Sequence, residues 1–493
     1  MYTKLFYIIL FMSTFFYSKA NETISYVVEQ SSYNQKPALK VFAKFQTSRN
    51  GVTNLNFPSS MWGEESLKNH FKNFRTEEDS EILFNESEDL IQIKHADSLN
   101  YINVSYLIIS SENSLEIDFV NYFRPFISKE RFHILSFSLF VTSSLSMNPI
   151  YDIDIHWKNF DKDFLIHNSF NSNITHQNIK GIERDKFNQS VFIGGDYQLD
   201  EFFINNKKIV FASPVEWENI ERNYLLDLVT KVIKIQRKFW DDYSQDYYTT
   251  ILTPLSNYQD INYIGAGLTN SFMALIGDSS KISKDDILNL INHELLHNWI
   301  GVKIENKNEE KQYWFSEGFT EYYHFKLASK NCLSNQMESF FIKKINEFNY
   351  LLNSSQYNEI KNDELNYDSF WNNEGIEEIP YWRGALFAFY LDLSIRNKSD
   401  NKYSLDDLMF DILNDATNNN QTIDKDYFVK VASNYYGKDF GKLFDKHIVN
   451  GELIPLDNLY DRNKLSYSYQ TSSKGVTYLK LLNDKNNLKI IFN

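Results

Sequence analysis

His293-Glu294-Leu295-Leu296-His297 stands past the middle of this 493-residue chain and has the pattern H-E-x-x-H. Residues four apart lie one above the other on a helix, so both imidazoles can reach a single metal ion. Glu294 then falls beside them, where its carboxylate can take a proton from water activated by the ion. A zinc ion lowers the pKa of water from about 15.7 to near 7. The pattern therefore implies a metal hydrolase, provided that the segment is helical. Its flanks point to a helix: Ser283 followed by Asp286 forms a capping box, and Gly301 after Trp299 and Ile300 is a stop, which puts the pattern in mid-helix. On a strand the two histidines would fall into different registers.

A catalytic zinc ion takes three protein ligands and keeps one position open. Glu305, Glu309, Glu310, Glu317 and Glu321 all follow the motif, so residue type alone leaves the third ligand undecided. Upstream, the pattern changes near Lys208. Ile209 to Ala212 reads as a short strand, about 217 to 239 as a long helix, Thr249 to Thr253 as another strand, and Gly265-Ala266-Gly267-Leu268-Thr269-Asn270 as a glycine-bearing segment. A domain boundary near residue 205 fits this change of period. Beyond residue 340 the signals are helical: an apolar helix from Gly384 to Arg396, a capping box at Ser404 and Asp407, and a helix from Asp426 to Tyr435 ended by Gly437. After Pro455 a weak alternation returns at Thr477 to Leu482 and at Leu488 to Phe492, over too few residues for a domain.

From Ala38 to about Gly195 the period is two, as for strands with one buried face. Leu39, Val41, Ala43 and Phe45 alternate with other residues, and Tyr151, Ile153, Ile155 and Trp157 alternate with Asp152, Asp154 and His156. Many short strands of this kind suggest a sandwich-like β domain. Asp152, Asp154 and His156 read as the solvent face of an amphipathic strand rather than as metal ligands. His95, His133, His167 and His176 read as isolated structural or surface residues.

At the N-terminus, Lys4, an apolar run from Leu5 to Tyr17, and Ser18-Lys19-Ala20 read as a cleaved secretory signal, with an uncleaved membrane anchor as the alternative; the run is shorter than the about 20 residues of a spanning helix. The expected address is exported, periplasmic or secreted, with no stable membrane insertion after cleavage. Hydrophobic residues at 42% and aromatics at 16% provide folded cores. Fifty Lys and Arg against 65 Asp and Glu leave a charge of −15, which repels nucleic acid and excludes it as a partner. Cys332 is the only cysteine, so no intrachain disulfide forms and stability rests on packing and metal.

Glu317 lies 20 residues after His297, within Trp314-Phe315-Ser316-Glu317-Gly318-Phe319-Thr320-Glu321. This segment resembles that of the zinc peptidases called gluzincins, whose glutamate ligand stands at about this separation on a second helix, and W-x-x-E-G-F recurs in their aminopeptidase branches. The resemblance implies that Glu317 joins His293 and His297 around one zinc ion. Glu321, one turn further on the same face, is placed to accept the second ring N–H of a ligating histidine. Pro380-Tyr381-Trp382-Arg383-Gly384 resembles the P-Y-x-K-G segment of the leukotriene-A4 hydrolase and aminopeptidase N family, which implies that the Tyr381 hydroxyl donates to the oxyanion formed at the attacked carbonyl.

Over its length the chain is most similar to the glycyl aminopeptidase family of gluzincins. The similarity runs through Gly265 to Ser271, His293 to Trp299, Trp314 to Tyr323, Tyr381 to Leu386, Leu391 to Leu393, Ser404 to Leu408, Phe444 to Ile448 and Leu453 to Leu456. It implies an N-terminal β domain, a thermolysin-like catalytic domain and a helical extension, without the C-terminal PDZ-like domain that members usually carry. Ala266 to Asn270 corresponds to a G-x-M-E-N-like strand, which implies substrate contacts at Gly267 and Asn270. Where the related strand has a glutamate for the substrate's free α-amine, this chain has Thr269, and a strong reason for exopeptidase selectivity is removed.

The expected architecture is multidomain α+β: a signal peptide at 1–20, a β-sandwich-like domain at 21–205, a thermolysin-like zinc catalytic domain at 206–340, a helical domain at 341–456 completing the active site, and a short extension at 457–493. The expected function is zinc-dependent hydrolysis of peptide or protein substrates, as an aminopeptidase. An endopeptidase of the same fold and a noncatalytic zinc-containing binding protein are the alternatives.

Overall fold

The alternation between 38 and 195 places one face of each strand in a core. Leu39, Val41, Ala43 and Phe45 are buried along Lys36–Gln46, and Tyr151, Ile153, Ile155 and Trp157 along Ile150–Lys158. The computed structural model describes residues 21–492 apart from 62–63, 65, 78–79, 86–88, 111–122, 146–148, 172–174, 256–262, 334–336, 367–368, 370–372, 374 and 473–474. The expected signal segment, 1–20, lies outside the described residues.

The N-terminal region is built from one six-stranded and two four-stranded sheets. In the six-stranded sheet His176–Glu183 is an edge strand, followed in space by Ile150–Lys158, Glu22–Tyr33, Lys36–Gln46, Tyr101–Ile109 and Phe71–Thr76. His176, read from the sequence as isolated, is not: the antiparallel register sets it opposite His156, and Asp154 bonds both rings. A partner twenty residues away, beyond a strand of another sheet, leaves no local signal. His133 and His167 are buried, and each meets a threonine of the central sheet, Nδ1 of His133 at 3.1 Å from Thr253 Oγ1 and Nε2 of His167 at 2.8 Å from Thr249 Oγ1. His95 Nε2 lies 2.9 Å from Thr53 Oγ1.

The central sheet has five strands in the order Tyr197–Ile204, Lys207–Pro214, Tyr247–Leu255, Ser271–Gly277 and Tyr263–Leu268. Its first two strands form an antiparallel hairpin whose turn is Asn205-Asn206, both at positive φ (49° and 60°). Such a turn is one of the few that match strand twist. The boundary expected near 205 therefore cuts a hairpin, and Tyr197–Ile204 belongs with the sheet that follows it. The sequence placed the boundary at the change from alternation to the continuous apolar run Ile209 to Ala212, and that change falls inside the hairpin. The three inner strands are parallel, with Arg222–Trp240 as the helix between Lys207–Pro214 and Tyr247–Leu255. Parallel strands covered on both faces read as continuous apolar runs, as Ile209 to Ala212 does.

Lys284–Leu296, the histidine helix, opens with the expected capping box: Ser283 Oγ accepts from the Asp286 N–H at 3.1 Å, and the Asp286 carboxylate accepts from the Ser283 N–H at 2.9 Å. It ends earlier than expected, at Leu296. His297 caps it at φ −59° and ψ −18°, so the motif occupies the last turn rather than mid-helix. His297 keeps helical dihedrals, which preserves the four-residue stacking of its ring on His293. The chain then tightens into Ile300–Gly301, paired with Ile304–Glu305, and Gly301 supplies a φ of 112°.

The C-terminal region is helical, and the chain as a whole is mixed α+β with a β-rich N-terminal part and a central catalytic part. Two of its helices shape the site: Gly318–Lys330, the glutamate helix, and Ile379–Lys398, the tyrosine helix, which starts five residues before the apolar run with Pro380 in its first turn. A buried charge network joins them. Asp392 accepts from Tyr322 at 2.6 Å, Lys326 at 3.1 Å, Arg396 at 3.1 Å and the Leu405 N–H at 2.9 Å, and Lys326 also meets Asp406 at 2.8 Å.

The capping box at Ser404 and the stop at Gly437 are present. Near the end, Thr477–Leu481 is a strand, but Leu488 to Phe492 lies in the helix Lys485–Phe492. Leu488, Ile491 and Phe492 have helical spacing, and Phe492 packs on Phe341 at 5.5 Å between ring centroids. Among the described residues no helix is long and apolar enough to cross a membrane.

Candidate active site

Close approaches at four glycines bring the site's elements together. The edge strand Tyr263–Leu268 lies on the histidine helix, where a Cβ at Gly265 would stand 2.8 Å from Glu294 Cγ and one at Gly267 3.2 Å from His297 Cβ. Gly267 thus lets the strand pass beside the second histidine. The glutamate and tyrosine helices cross with their backbones touching: a Cβ on Gly318 would lie 2.4 Å from Gly384 Cα, and one on Gly384 2.1 Å from the Trp314 carbonyl. Glu317 directly precedes the first of these glycines and Tyr381 stands three residues before the second, so the crossing carries both towards the histidines.

There, Nε2 of His293 and Nε2 of His297 are 3.1 Å apart, and Glu317 Oε2 is 3.3 Å from the former and 3.5 Å from the latter. Donors at zinc bond lengths of about 2.0–2.2 Å in tetrahedral array stand about 3.3 Å from one another. The hydrogen bonds behind the rings agree. His297 donates its Nδ1–H to the Ile300 carbonyl at 3.0 Å, which leaves the lone pair on Nε2. His293 Nδ1 is 2.8 Å from Glu321 Oε1. Two imidazole lone pairs and a carboxylate at such separations need positive charge between them. Burial pulls both rings down, but Glu317 and its carboxylate neighbours outweigh it and raise both. The donor set fits a divalent ion.

Glu294 lies on the same turn, partly buried. Burial raises its carboxyl above the ordinary range against the pull of His297 and His293, as suits a group that must both take and release a proton. Burial would also raise Glu317, but the two imidazoles hold it well below the usual carboxylate range. Burial first, then Glu317 and Glu294, push the Tyr381 hydroxyl well above its usual value, so it remains an O–H donor at neutral pH. Its ring lies nearly parallel to that of His293, 6.1 Å between centroids.

Asn270 and Thr269 form the hairpin turn after the edge strand. Asn270 has a φ of 50° and its carbonyl accepts from the Thr249 N–H at 3.0 Å, the bonding of a turn residue. Thr269 is tied to the N-terminal region: its hydroxyl donates to the Lys186 carbonyl at 2.7 Å and its N–H to the Gln189 carbonyl at 2.8 Å. His324 was not singled out in the sequence. It is buried one turn past Glu321, its Nδ1 3.7 Å from Glu321 Oε1 and its ring 5.7 Å from His293. The three-residue step from Glu321 was the one available signal.

Fold and site together define a metallopeptidase. Residues 224–446 match the model of the peptidase family M1 domain, which supports a zinc-dependent, gluzincin-like peptidase. It is similar in fold to an aminopeptidase N family protein from Idiomarina loihiensis, at 16% identity over 92% of this chain and 81% of that one, with a TM-score of 0.76. It is also similar to native yeast LTA4 hydrolase, at 14% identity over 89% of this chain and 70% of that one, with a TM-score of 0.52. No curated protein matches the chain.

Proposed function

We propose that this chain is an exported aminopeptidase in which His293, His297 and Glu317 hold one zinc ion. The observation that carries the reading is the triangle of 3.1, 3.3 and 3.5 Å between their donor atoms. Zinc bound there supplies Lewis acidity towards water and the scissile carbonyl. Glu294 takes the proton of the attacking water and returns it to the leaving nitrogen. Tyr381 donates its hydroxyl hydrogen to the oxyanion, and Glu321 fixes the tautomer and orientation of His293. The edge strand Tyr263–Leu268 lies at the end of its sheet, and its outer edge is suited to an extended peptide bound through main-chain hydrogen bonds. Gly267 keeps that path open beside His297.

The M1 domain and the likeness to an aminopeptidase N family protein favour cleavage at a free N-terminus. The second reading, an endopeptidase, is favoured by Thr269, whose hydroxyl is engaged with Lys186 and offers no carboxylate to an amine. One peptide assayed with its N-terminus free and acetylated separates them. The aminopeptidase cleaves the free form at least about tenfold faster, as the loss of a charge-assisted contact demands; equal rates establish the endopeptidase. Export rests on the segment ending at Ala20, and N-terminal sequencing of protein recovered outside the cytoplasm tests it by finding, or not finding, a start at Asn21.

A further inference from the structure

The outer face of the six-stranded sheet gathers three groups that no part of the peptidase machinery uses. Asp154 and His156 are two apart on Ile150–Lys158, so they share a face, and His176 stands opposite His156 on the edge strand His176–Glu183. The two imidazoles stack at 4.1 Å between centroids with an interplanar angle of 6°. Asp154 lies at their ends, Oδ1 2.6 Å from Nε2 of His176 and Oδ2 3.0 Å from Nε2 of His156. A ligand atom from each of the three lies within 4.8 Å of the others.

We propose that Asp154, His156 and His176 form a second divalent-metal site, independent of the peptidase centre. Stacking points both Nε2 atoms the same way, at the carboxylate, which is the convergence that two imidazoles and one oxygen need to share an ion. Neither Nδ1 has a partner among the described residues, so each ring can carry its hydrogen there and free the Nε2 lone pair without losing a bond to protein. Lys180, on the same edge strand as His176, pairs with Asp152 at 3.3 Å. Side-chain exposures of 26% for Asp154, 39% for His156 and 53% for His176 leave room for water to complete the shell. Imidazole and carboxylate together select zinc, nickel or copper over magnesium and calcium. The ion would tie the edge strand to its neighbour Ile150–Lys158, to which a ladder of hydrogen bonds now holds it.

Equilibrium dialysis of the full chain against zinc chloride, after chelator treatment, tests the site by difference. The unaltered chain binds one more ion per chain than the H156A/H176A variant, and the variant hydrolyses peptide at the unaltered rate. Magnesium chloride in place of zinc shows no such difference. Equal zinc stoichiometry in the two proteins overturns the proposal, whatever the peptidase centre binds. Should the double variant fold poorly, His176→Gln replaces it, since that side chain is more than half exposed; retention of the extra ion in H176Q at the unaltered affinity likewise overturns it.

Discussion

Glu294 and Tyr381 are the residues on which the proposed chemistry turns, and each makes a distinct prediction. Glu294→Gln keeps the volume and removes the proton acceptor, so kcat falls by about 10²–10⁴ while bound metal is unchanged; metal content measured beside turnover checks both halves. Tyr381→Phe removes one oxyanion donor, and kcat falls by about 10²–10³ with KM nearly unchanged. An equal loss in KM would make Tyr381 a substrate-binding group instead. At this scale the sequence revealed what the metal itself imposes locally: two histidines four apart with a glutamate between them. Glu317 lies 20 residues on and became visible only through the resemblance of its segment. The engagement of Thr269 with Lys186, and the pairing of His176 with Asp154, are contacts between distant stretches and had no trace in either stretch alone.

Helix ends and helix crossings decide where those residues point. The capping box of the histidine helix was legible because Ser283 and Asp286 form it within one turn. Ser283→Ala is expected to cost about 1 kcal/mol of stability, seen as a lowered melting temperature with activity per folded molecule preserved. The end of that helix was misread by four residues, since Asn298 to Ile300 carry no stop and the turn is made by His297 bonding to Ile300. The crossing at Gly318 and Gly384 was invisible, because a glycine inside an apolar helix does not announce its partner. Gly384→Ala puts a carbon where the Trp314 carbonyl sits. Overpacking of this kind costs about 1–3 kcal/mol, and here it also separates Glu317 from Tyr381. Melting temperature and kcat should therefore fall together, and a variant that loses neither would show that the helices have slack.

For the molecule as a whole, metal and pH are the two levers on stability. Chelation should abolish hydrolysis and lower the melting temperature, and zinc at a hundred times its dissociation constant should restore about 2.7 kcal/mol relative to the metal-free chain. Asp242 ties the loop after Arg222–Trp240 to Trp299 at 2.7 Å and to Lys303. Burial alone would raise its carboxyl, but Lys303 and Ser244 bring it down to about 2. A depressed folded-state value means stability that is present above the unfolded value near 3.9 and lost as pH falls towards about 2. Asp242→Asn should thus cost about 1–2 kcal/mol at pH 7, allowing for solvent screening, and the gap between variant and unaltered protein should narrow below about pH 4 and close only towards about pH 2 in melts taken over that range. The three-part α+β organisation was readable from changes of period, whereas the seam near 205 was not, because both sides of it are strands of one hairpin. That hairpin bears on any attempt to produce the catalytic half alone. A chain begun at residue 206 would bare the edge of Lys207–Pro214, whose Ile209, Val210, Phe211 and Ala212 are fully covered in the intact protein. An apolar strand with a free edge recruits copies of itself. The N-terminal half thus serves as a built-in guard against aggregation, and the fragment should collect in inclusion bodies where the entire chain stays in solution.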